Sequence, residues 1–324
     1  MSRAPVVVTG GAGYIGSILV RRLLSAGERV RVVDRMLHGA HGLVGLEGEA
    51  RLEIVTRDLR DPRTYDEAME GADTVIHLSA IVGDKACAQD EEVAVQTNWT
   101  ATVAFARRAA ALGVRRFVFA STCSVYGEGR NELLTETSPV RPLSLYAETR
   151  RHAEIGILEL VGKETFEPVI LRFGTVYGLS PRMRFDLVVN LLTLRAVRNG
   201  EITIFGGSQW RPFVHVADIA HALELALSEA LPLEGEPILN VGDNLENYQL
   251  RDLKEQYERV ISGVRVRMAE EATDPRTYRV SFDRIERLWG FRASRRVPDG
   301  ILEISNALRA GAIPDPDHPR YVNA

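Results

Sequence analysis

The stretch Val6-Val7-Val8-Thr9-Gly10-Gly11-Ala12-Gly13-Tyr14-Ile15-Gly16-Ser17 runs from a β-branched segment straight into a glycine turn. Pro5–Thr9 predicts a strand and Gly13–Ala26 a helix, so the glycines at 10, 13 and 16 close the one and open the other. Gly10 permits the tight turn. Gly13 lets the backbone approach a pyrophosphate, and Gly16 lets the helix pack closely on the strand. The helix start then offers free N–H groups and a positive dipole end to phosphate. Asp34 follows eighteen residues after Gly16, at the end of a second strand, Arg29–Asp34. A carboxylate there can accept hydrogen bonds from both adenosine ribose hydroxyls and repels a 2′-phosphate, which favours NAD over NADP. Arg35 beside it pulls the other way, because an arginine can pair with that phosphate.

Outward from this loop the pattern repeats. Strands are predicted at Leu52–Thr56, Asp73–Leu78 and Arg116–Ser121, with a long alanine-rich helix at Asp90–Leu112. A helix at Leu145–Leu160 and a strand at Val169–Phe173 continue the alternation. Strands alternating with helices imply βαβ units, and apolar rather than alternating strands imply a sheet covered on both faces. The expected fold is therefore α/β, a Rossmann-type doubly wound parallel sheet. Two further strand ends suit the same ligand: Asp58-Leu59, where a carboxylate could meet adenine, and His77-Leu78-Ser79-Ala80, where small residues leave room.

After Gly178-Leu179-Ser180-Pro181 the texture changes to shorter elements, denser in Pro, Gly and Arg. Helices are predicted near Phe185–Arg198, Val216–Ala230, Gln249–Val260 and Pro298–Ala310, and strands near Ile202–Phe205 and Pro237–Val241. The expected division is a dinucleotide-binding domain over 1–178 and a smaller α/β substrate lobe over 179–324, with chain crossings between them.

Composition bounds the function. The chain has 324 residues, 45% hydrophobic and 26% charged, with a formal net charge of −4. That gives no bulk electrostatic reason to bind nucleic acid or an anionic membrane. No apolar run is long enough to span a bilayer, and no apolar leader precedes the first strand, so a cytoplasmic protein is expected. Cys87 and Cys123 are the only cysteines; their spacing suits no metal, and none is expected. Lysine occurs only at 85, 163 and 254, against thirty-seven arginines.

Ser121-Thr122-Cys123-Ser124-Val125-Tyr126-Gly127 follows the fifth strand, and Ser144-Leu145-Tyr146-Ala147-Glu148-Thr149-Arg150 opens a helix. Tyr146 and Arg150 lie four apart, on one helix face. A free tyrosine titrates near about pH 10 and is useless as a base at neutrality. A nearby cation lowers that value, so Arg150 should poise Tyr146 as a proton acceptor, with Thr122 sharing the substrate hydroxyl.

Together these motifs resemble the extended short-chain dehydrogenase/reductase family, in its nucleotide-sugar epimerase/dehydratase branch of the UDP-glucose 4-epimerase type. The resemblance runs from the glycine loop to about residue 310. It implies Tyr146 as base, Thr122 as hydroxyl partner, NAD laid across the strand ends and a nucleotide sugar in the cleft beyond. The expected cofactor contacts are Gly10, Gly13, Tyr14, Ile15, Gly16, Asp34, Arg35, Asp58, Leu59, Leu78, Ser79, Ala80, Asn98, Tyr146, Arg150 and Phe173. Two helices, Asp90–Leu112 and Leu145–Leu160, form the dimer seam in this family, and Ala94, Ala101, Ala104 and Ala109 keep the first slim, so a homodimer is expected.

Three departures from the family pattern matter. Arg150 stands where the family has lysine; it keeps the charge but is wider, planar and no proton shuttle. Cys123 and Ser124 replace the acidic residues that follow the threonine in dehydratases and decarboxylases, which disfavours elimination. Thr175 replaces an asparagine that contacts the diphosphate. Beyond it, Arg182 and Arg184 supply two cations, Gln209–Asp218 resembles the family's Arg-x-Phe-x-His-Val-x-Asp segment, and Arg276 follows in a later one. The expected substrate contacts are Thr122, Ser124, Thr175, Arg184, Arg211 and Arg276, with guanidinium groups gripping the diphosphate. His215 is expected to be structural. The reading is an NAD-dependent nucleotide-sugar epimerase oxidising C4. The alternatives are a sugar-nucleotide 4-ketoreductase or dehydratase and, from another class, a non-catalytic NAD-binding protein.

Overall fold

A computed structural model of the chain describes residues 4–323 except 164, 229, 230, 233, 270–273 and 275, with the backbone alone at 130 and 131. Its strands in chain order are β1 (Val6–Thr9), β2 (Val30–Asp34), β3 (Leu52–Thr56), β4 (Thr74–His77), β5 (Arg116–Thr122), β6 (Glu128–Leu134) and β7 (Glu167–Phe173). They continue with β8 (Thr175–Tyr177), β9 (Glu201–Phe205), β10 (Trp210–His215), β11 (Ile238–Val241), β12 (Asn247–Gln249), β13 (Arg265–Ala269) and β14 (Thr277–Val280).

Seven of these form one sheet in the order β11-β7-β5-β4-β1-β2-β3, and every pairing in it is parallel. The fold is α/β and Rossmann-type. Val7, Val8, Val32, Val75, Ile76 and Val118 have no solvent exposure, because helices cover both faces. The strand order reverses between β1 and β4. Ligands of open α/β sheets bind at the carboxyl ends beside such a reversal.

The seventh strand, β11, comes from residue 238 onward, so the chain returns to the main sheet after leaving it. A helix at Val216–Leu225 also comes back to pack on the helix at Gly16–Ser25. Between and after these excursions lie three small sheets: β12-β10-β8, β13-β9 and β14-β6. The β6–β14 pairing joins residues around 130 to residues around 278, a long-range contact that no local pattern announces.

The long helix expected at Asp90–Leu112 has a break in its middle. Glu91–Val95 and Thr102–Ala111 are α-helical, but Gln96–Ala101 takes the wider π form. The helix that carries Tyr146 spans Leu145–Leu158 and is capped by the Ser144 hydroxyl, which accepts from the Ala147 N–H at 3.4 Å. Other boundaries move by a few residues; the helix expected at Val216–Ala230 ends at Leu225.

Candidate active site

The glycine turn holds the geometry its sequence requires. Gly10 has φ +71°, and a Cβ there would meet the backbone of Ser79 at 2.9 Å. A Cβ at Gly16 would drive into the Gly10 carbonyl oxygen, so the helix can sit this close only with glycine. At Gly13 the sole near neighbour of an added Cβ is the Gly10 carbonyl at 3.0 Å; the rest of its surroundings is open cavity. Asp34 accepts from the Ala12 N–H at 3.1 Å and the Met36 N–H at 2.8 Å, which fixes the carboxylate at the rim of the turn. Burial raises its pKa above the ordinary value, against the pull of those bonds and of Arg35 and Arg182.

The next layer ties the strand ends together. His77 is fully buried; Nδ1 meets the Thr9 hydroxyl and Nε2 the Thr102 hydroxyl, both at 3.0 Å. Burial, reinforced by the Arg150 charge, pushes its pKa down to about 3, so it stays neutral. The Thr9 hydroxyl also accepts from the Ser79 N–H at 3.2 Å, fixing the small-residue turn expected there.

The glycine turn and the strand ends open on one cavity of about 800 Å³ at the carboxyl edge of the sheet. Of the expected cofactor contacts, Gly10, Gly13, Tyr14, Ile15, Gly16, Asp34, Arg35, Asp58, Leu59, Leu78, Ser79, Ala80, Tyr146, Arg150 and Phe173 line it. So do the expected substrate contacts Thr122, Ser124, Thr175, Arg184, Arg211 and Arg276. Asn98 is the exception. It is fully buried behind the loop, where its carboxamide accepts from the Ile81 N–H at 2.8 Å and donates to the Ile81 carbonyl at 2.9 Å. Asn98 therefore holds the wall of the cavity rather than its contents. The π turn that places it there leaves no periodic signature in sequence.

At the centre, Thr122 ends β5 and its hydroxyl accepts from the Ser124 N–H at 3.1 Å, leaving its own proton free to be donated. The Ser124 hydroxyl lies 3.2 Å from the Tyr278 hydroxyl. Cys123, between them in sequence, turns away and donates its thiol to the Arg172 carbonyl at 3.3 Å; burial raises its pKa. Arg150 is only 1% exposed. Its Nη2 donates to the Ala120 carbonyl and its guanidinium lies 4.2 Å from the centre of the Phe119 ring, while Nε and Nη1 have no partner among the described residues. One expectation needs correcting here. Arg150, then Arg184, do lower the Tyr146 pKa, but burial outweighs both, and the phenol lies above its ordinary value. The sequence shows the cation and hides the depth of the pocket.

The arginines at the far side are not free. Arg184 binds Asp186 through two contacts, at 3.1 and 2.5 Å. Arg211 pairs with Asp274 at 2.8 Å, and Arg276 binds Asp274 at 2.8 and 2.6 Å and Asp84 at 2.8 Å. Asp58 is chelated by Arg60, at 2.6 Å for the shorter contact, with Arg35 at 3.6 Å. His215 does not line the cavity. It bonds Glu303 at 2.7 Å and caps the helix at Val216–Leu225 by accepting from the Ala217 N–H. Sequence reasoning did not single out Tyr278, Asp186 or Asp274 as cavity residues, since their positions depend on long-range packing.

The residues fit a nicotinamide dinucleotide. Open space over Gly13, a fixed carboxylate at Asp34, and buried guanidinium nitrogens without partners at Arg150 make a bed for a diphosphate and two riboses. Sheet, crevice and the Thr122–Tyr146–Arg150 cluster define an extended short-chain dehydrogenase/reductase. More narrowly, residues 6–242 match the NAD dependent epimerase/dehydratase family, to which the chain belongs and whose cofactor is NAD.

Among curated relatives, the chain is 30% identical over 267 residues to a probable UDP-arabinose 4-epimerase 3 of Oryza sativa subsp. japonica, covering 73% of this chain and 65% of that one. It is 31% identical over 236 residues to UDP-glucuronic acid decarboxylase 1 of Arabidopsis thaliana, covering 70% and 52%. The chain thus spans less than two thirds of the length of these relatives. Among solved structures, MoeE5 in complex with UDP-glucuronic acid and NAD is similar with a TM-score of 0.80 and 29% identity, over 95% of this chain and 99% of that one. A UDP-glucose 4-epimerase from Thermotoga maritima shares the fold with a TM-score of 0.83 at 23% identity, over 95% and 99%. Among the described residues, no helix is long and apolar enough to cross a membrane.

Proposed function

We propose that this protein is an NAD-dependent nucleotide-sugar epimerase acting at C4 of the sugar, with Tyr146, Thr122 and Arg150 as its reacting set. The observation that carries this reading is the convergence of the Tyr146 phenol, the Thr122 hydroxyl and the Arg150 cation on a single cavity whose lining carboxylates, among the described residues, are each paired with a cation or backbone N–H groups. The lining aspartates are paired as follows: Asp34 with backbone N–H groups, Asp58 with Arg60, Asp186 with Arg184, Asp274 with Arg211 and Arg276, and Asp84 with Arg276 through Oδ2, its buried Oδ1 having no partner among the described residues. Elimination of water needs an acid and a base in addition to the tyrosine. Oxidation and return of hydride do not.

When bound, NAD supplies a hydride acceptor that later gives the hydride back to the opposite face of the sugar carbon. The protein's own part is to move one proton. Tyr146 takes it from the sugar hydroxyl, and the free proton of the Thr122 hydroxyl steadies the oxygen as charge develops there. The Arg150 charge favours the phenolate, and its unpartnered nitrogens suit the ribose hydroxyls. Arg211 and Arg276 would grip the sugar nucleotide's diphosphate after exchanging Asp274 for it.

The similarity to UDP-arabinose 4-epimerases and to MoeE5 supports UDP-sugars as the first substrates to test. In the same reading, residues 1–178 form the cofactor domain and 179–324 the smaller substrate lobe, which supplies Arg184, Arg211 and Arg276 to the substrate. The helices at Glu91–Ala111 and Leu145–Leu158 form the seam of a cytoplasmic homodimer. The test is to incubate the purified protein with UDP-, GDP-, dTDP- and CDP-sugars and identify products by NMR. A C4 epimer formed with NAD recycled is the expected result. A keto or reduced sugar formed with stoichiometric use of cofactor would overturn it in favour of a reductase.

A further inference from the structure

One cation on the cavity wall has no anion bound to it among the described residues. Arg182 is 3% exposed, lines the cavity, and has neither Nε nor Nη2 hydrogen-bonded. Its neighbours Arg184 and Arg35 already hold carboxylates of their own, Asp186 and Asp58. His38, close to all three arginines, is held neutral by burial and by their charges, with its pKa down at about 4. A buried guanidinium without a counter-charge is costly. Burial, then the charge of Arg184, bring its own pKa down to about 10, with only a partial offset from Asp186 and Asp34, neither of which is ion-paired to it.

Its place in the fold names the missing partner. The segment that leads to Arg182 is bolted to the glycine turn. The Tyr14 hydroxyl donates to the Gly178 carbonyl at 2.6 Å, the Ser180 hydroxyl donates to the Tyr14 carbonyl at 2.7 Å, and the Ser17 and Ser180 hydroxyls meet at 3.0 Å. Asn190 adds a bond to the Tyr14 hydroxyl at 3.1 Å. Arg182, two residues on from the tethered Ser180, thereby lines the same cavity as Gly13–Gly16, within electrostatic reach of Asp34. A helix start at a glycine turn accepts a diphosphate with N–H groups from one side only.

We propose that Arg182 closes over the NAD diphosphate from the side opposite the glycine turn, so that the cofactor is clamped between two segments far apart in sequence. The same four bonds between 14–17 and 178–190 then make cofactor release depend on parting those segments. This keeps the cofactor resident through a reaction that must return its hydride.

The test is Arg182→Met and Arg182→Lys, read by calorimetric titration with NAD, NADP, ADP and UDP and by the melting temperature of the cofactor-free protein. Charge-assisted hydrogen bonds of this kind correspond to an affinity loss of about ten- to a hundredfold. Arg182→Met should lose that much for NAD and ADP alike and keep its UDP affinity. Cofactor-free Arg182→Met should melt higher than the parent, because an uncompensated charge is gone. Arg182→Lys should recover part of the loss. A larger loss for UDP than for ADP would move the residue to the substrate diphosphate and overturn the proposal. A loss for NADP exceeding that for NAD would move it to the ribose 2′ position and overturn it equally. Unchanged NAD affinity, or lower melting with uniform loss for every ligand, would reduce Arg182 to a structural part.

Discussion

The Arg150 guanidinium stacks 4.2 Å above the Phe119 ring while its Nη2 holds the Ala120 carbonyl, so the charge beneath Tyr146 is fixed by β5 itself. A lysine could supply the charge but neither the stack nor the fork. Arg150→Lys is therefore expected to lower kcat about tenfold, the scale of one charge-assisted bond, with correct folding. Steady-state kinetics with circular dichroism checks this; a gain in turnover would show a site impaired by arginine.

Tyr146→Phe removes the proton acceptor and leaves the cavity walls in place. Turnover should fall about a hundred- to ten-thousandfold, while NAD titration is little changed. Full activity in this variant would take Tyr146 out of the chemistry.

The phenol also sets a pH dependence. Burial holds it above its ordinary value and Arg150 offsets part of that rise. Only the deprotonated form accepts a proton, so the rate climbs as pH rises toward its pKa. Arg150→Met removes the offset and should move the acid limb of the kcat profile to higher pH. A limb that stays put would mean that another group titrates.

What the sequence disclosed follows a physical line. The glycine turn, Asp34, Thr122 and the Tyr146–Arg150 pair are local: neighbours within one turn or one strand end, where spacing determines geometry. The parallel sheet followed from apolar runs because burial on both faces writes itself into composition. What stayed hidden depends on contacts across the chain. Tyr278 reaches Ser124 only through the β6–β14 pairing, and Asp274 meets Arg211 only once β10 and the segment before β14 converge. Asn98, expected at the cofactor from the family resemblance, sits in a π turn and bonds Ile81 behind the cavity wall, which no local pattern announces. Arg182 is visible in the sequence as a charge, yet its lack of a partner is a property of the folded cavity alone.

The two helices proposed as a dimer seam carry an exposed stack, Trp99 on His152 with ring centres 4.5 Å apart, and an exposed Ile155 one turn away. Ile155→Glu should convert a homodimer to monomer by light scattering, with NAD affinity retained. A parent protein already monomeric at micromolar concentration would remove the seam.

Beneath the reacting set, Glu154 ties three elements. It lies on the Tyr146 helix, two turns on, and is fully buried. It accepts from Arg172 of β7 at 2.9 and 2.8 Å, from Ser121 of β5 at 2.6 Å and from Arg151 at 3.0 Å. Burial would raise this carboxyl, but the bonds and charge of Arg172, with Ser121 and Arg151, outweigh it and hold the pKa below its ordinary value. The unfolded chain thus binds the proton more readily than the folded one. The contribution is present above the ordinary carboxylate range and is lost as pH falls through it toward the folded value. Glu154→Gln leaves Arg172 buried and uncompensated, which costs about 3–5 kcal/mol. Chemical denaturation at neutral pH should show that loss, and the gap between variant and parent should narrow on acidification. Because Ser121 adjoins Thr122, the variant should also lose kcat more than nucleotide affinity. An equal loss of stability at every pH would mean that the carboxyl acts by shape rather than charge.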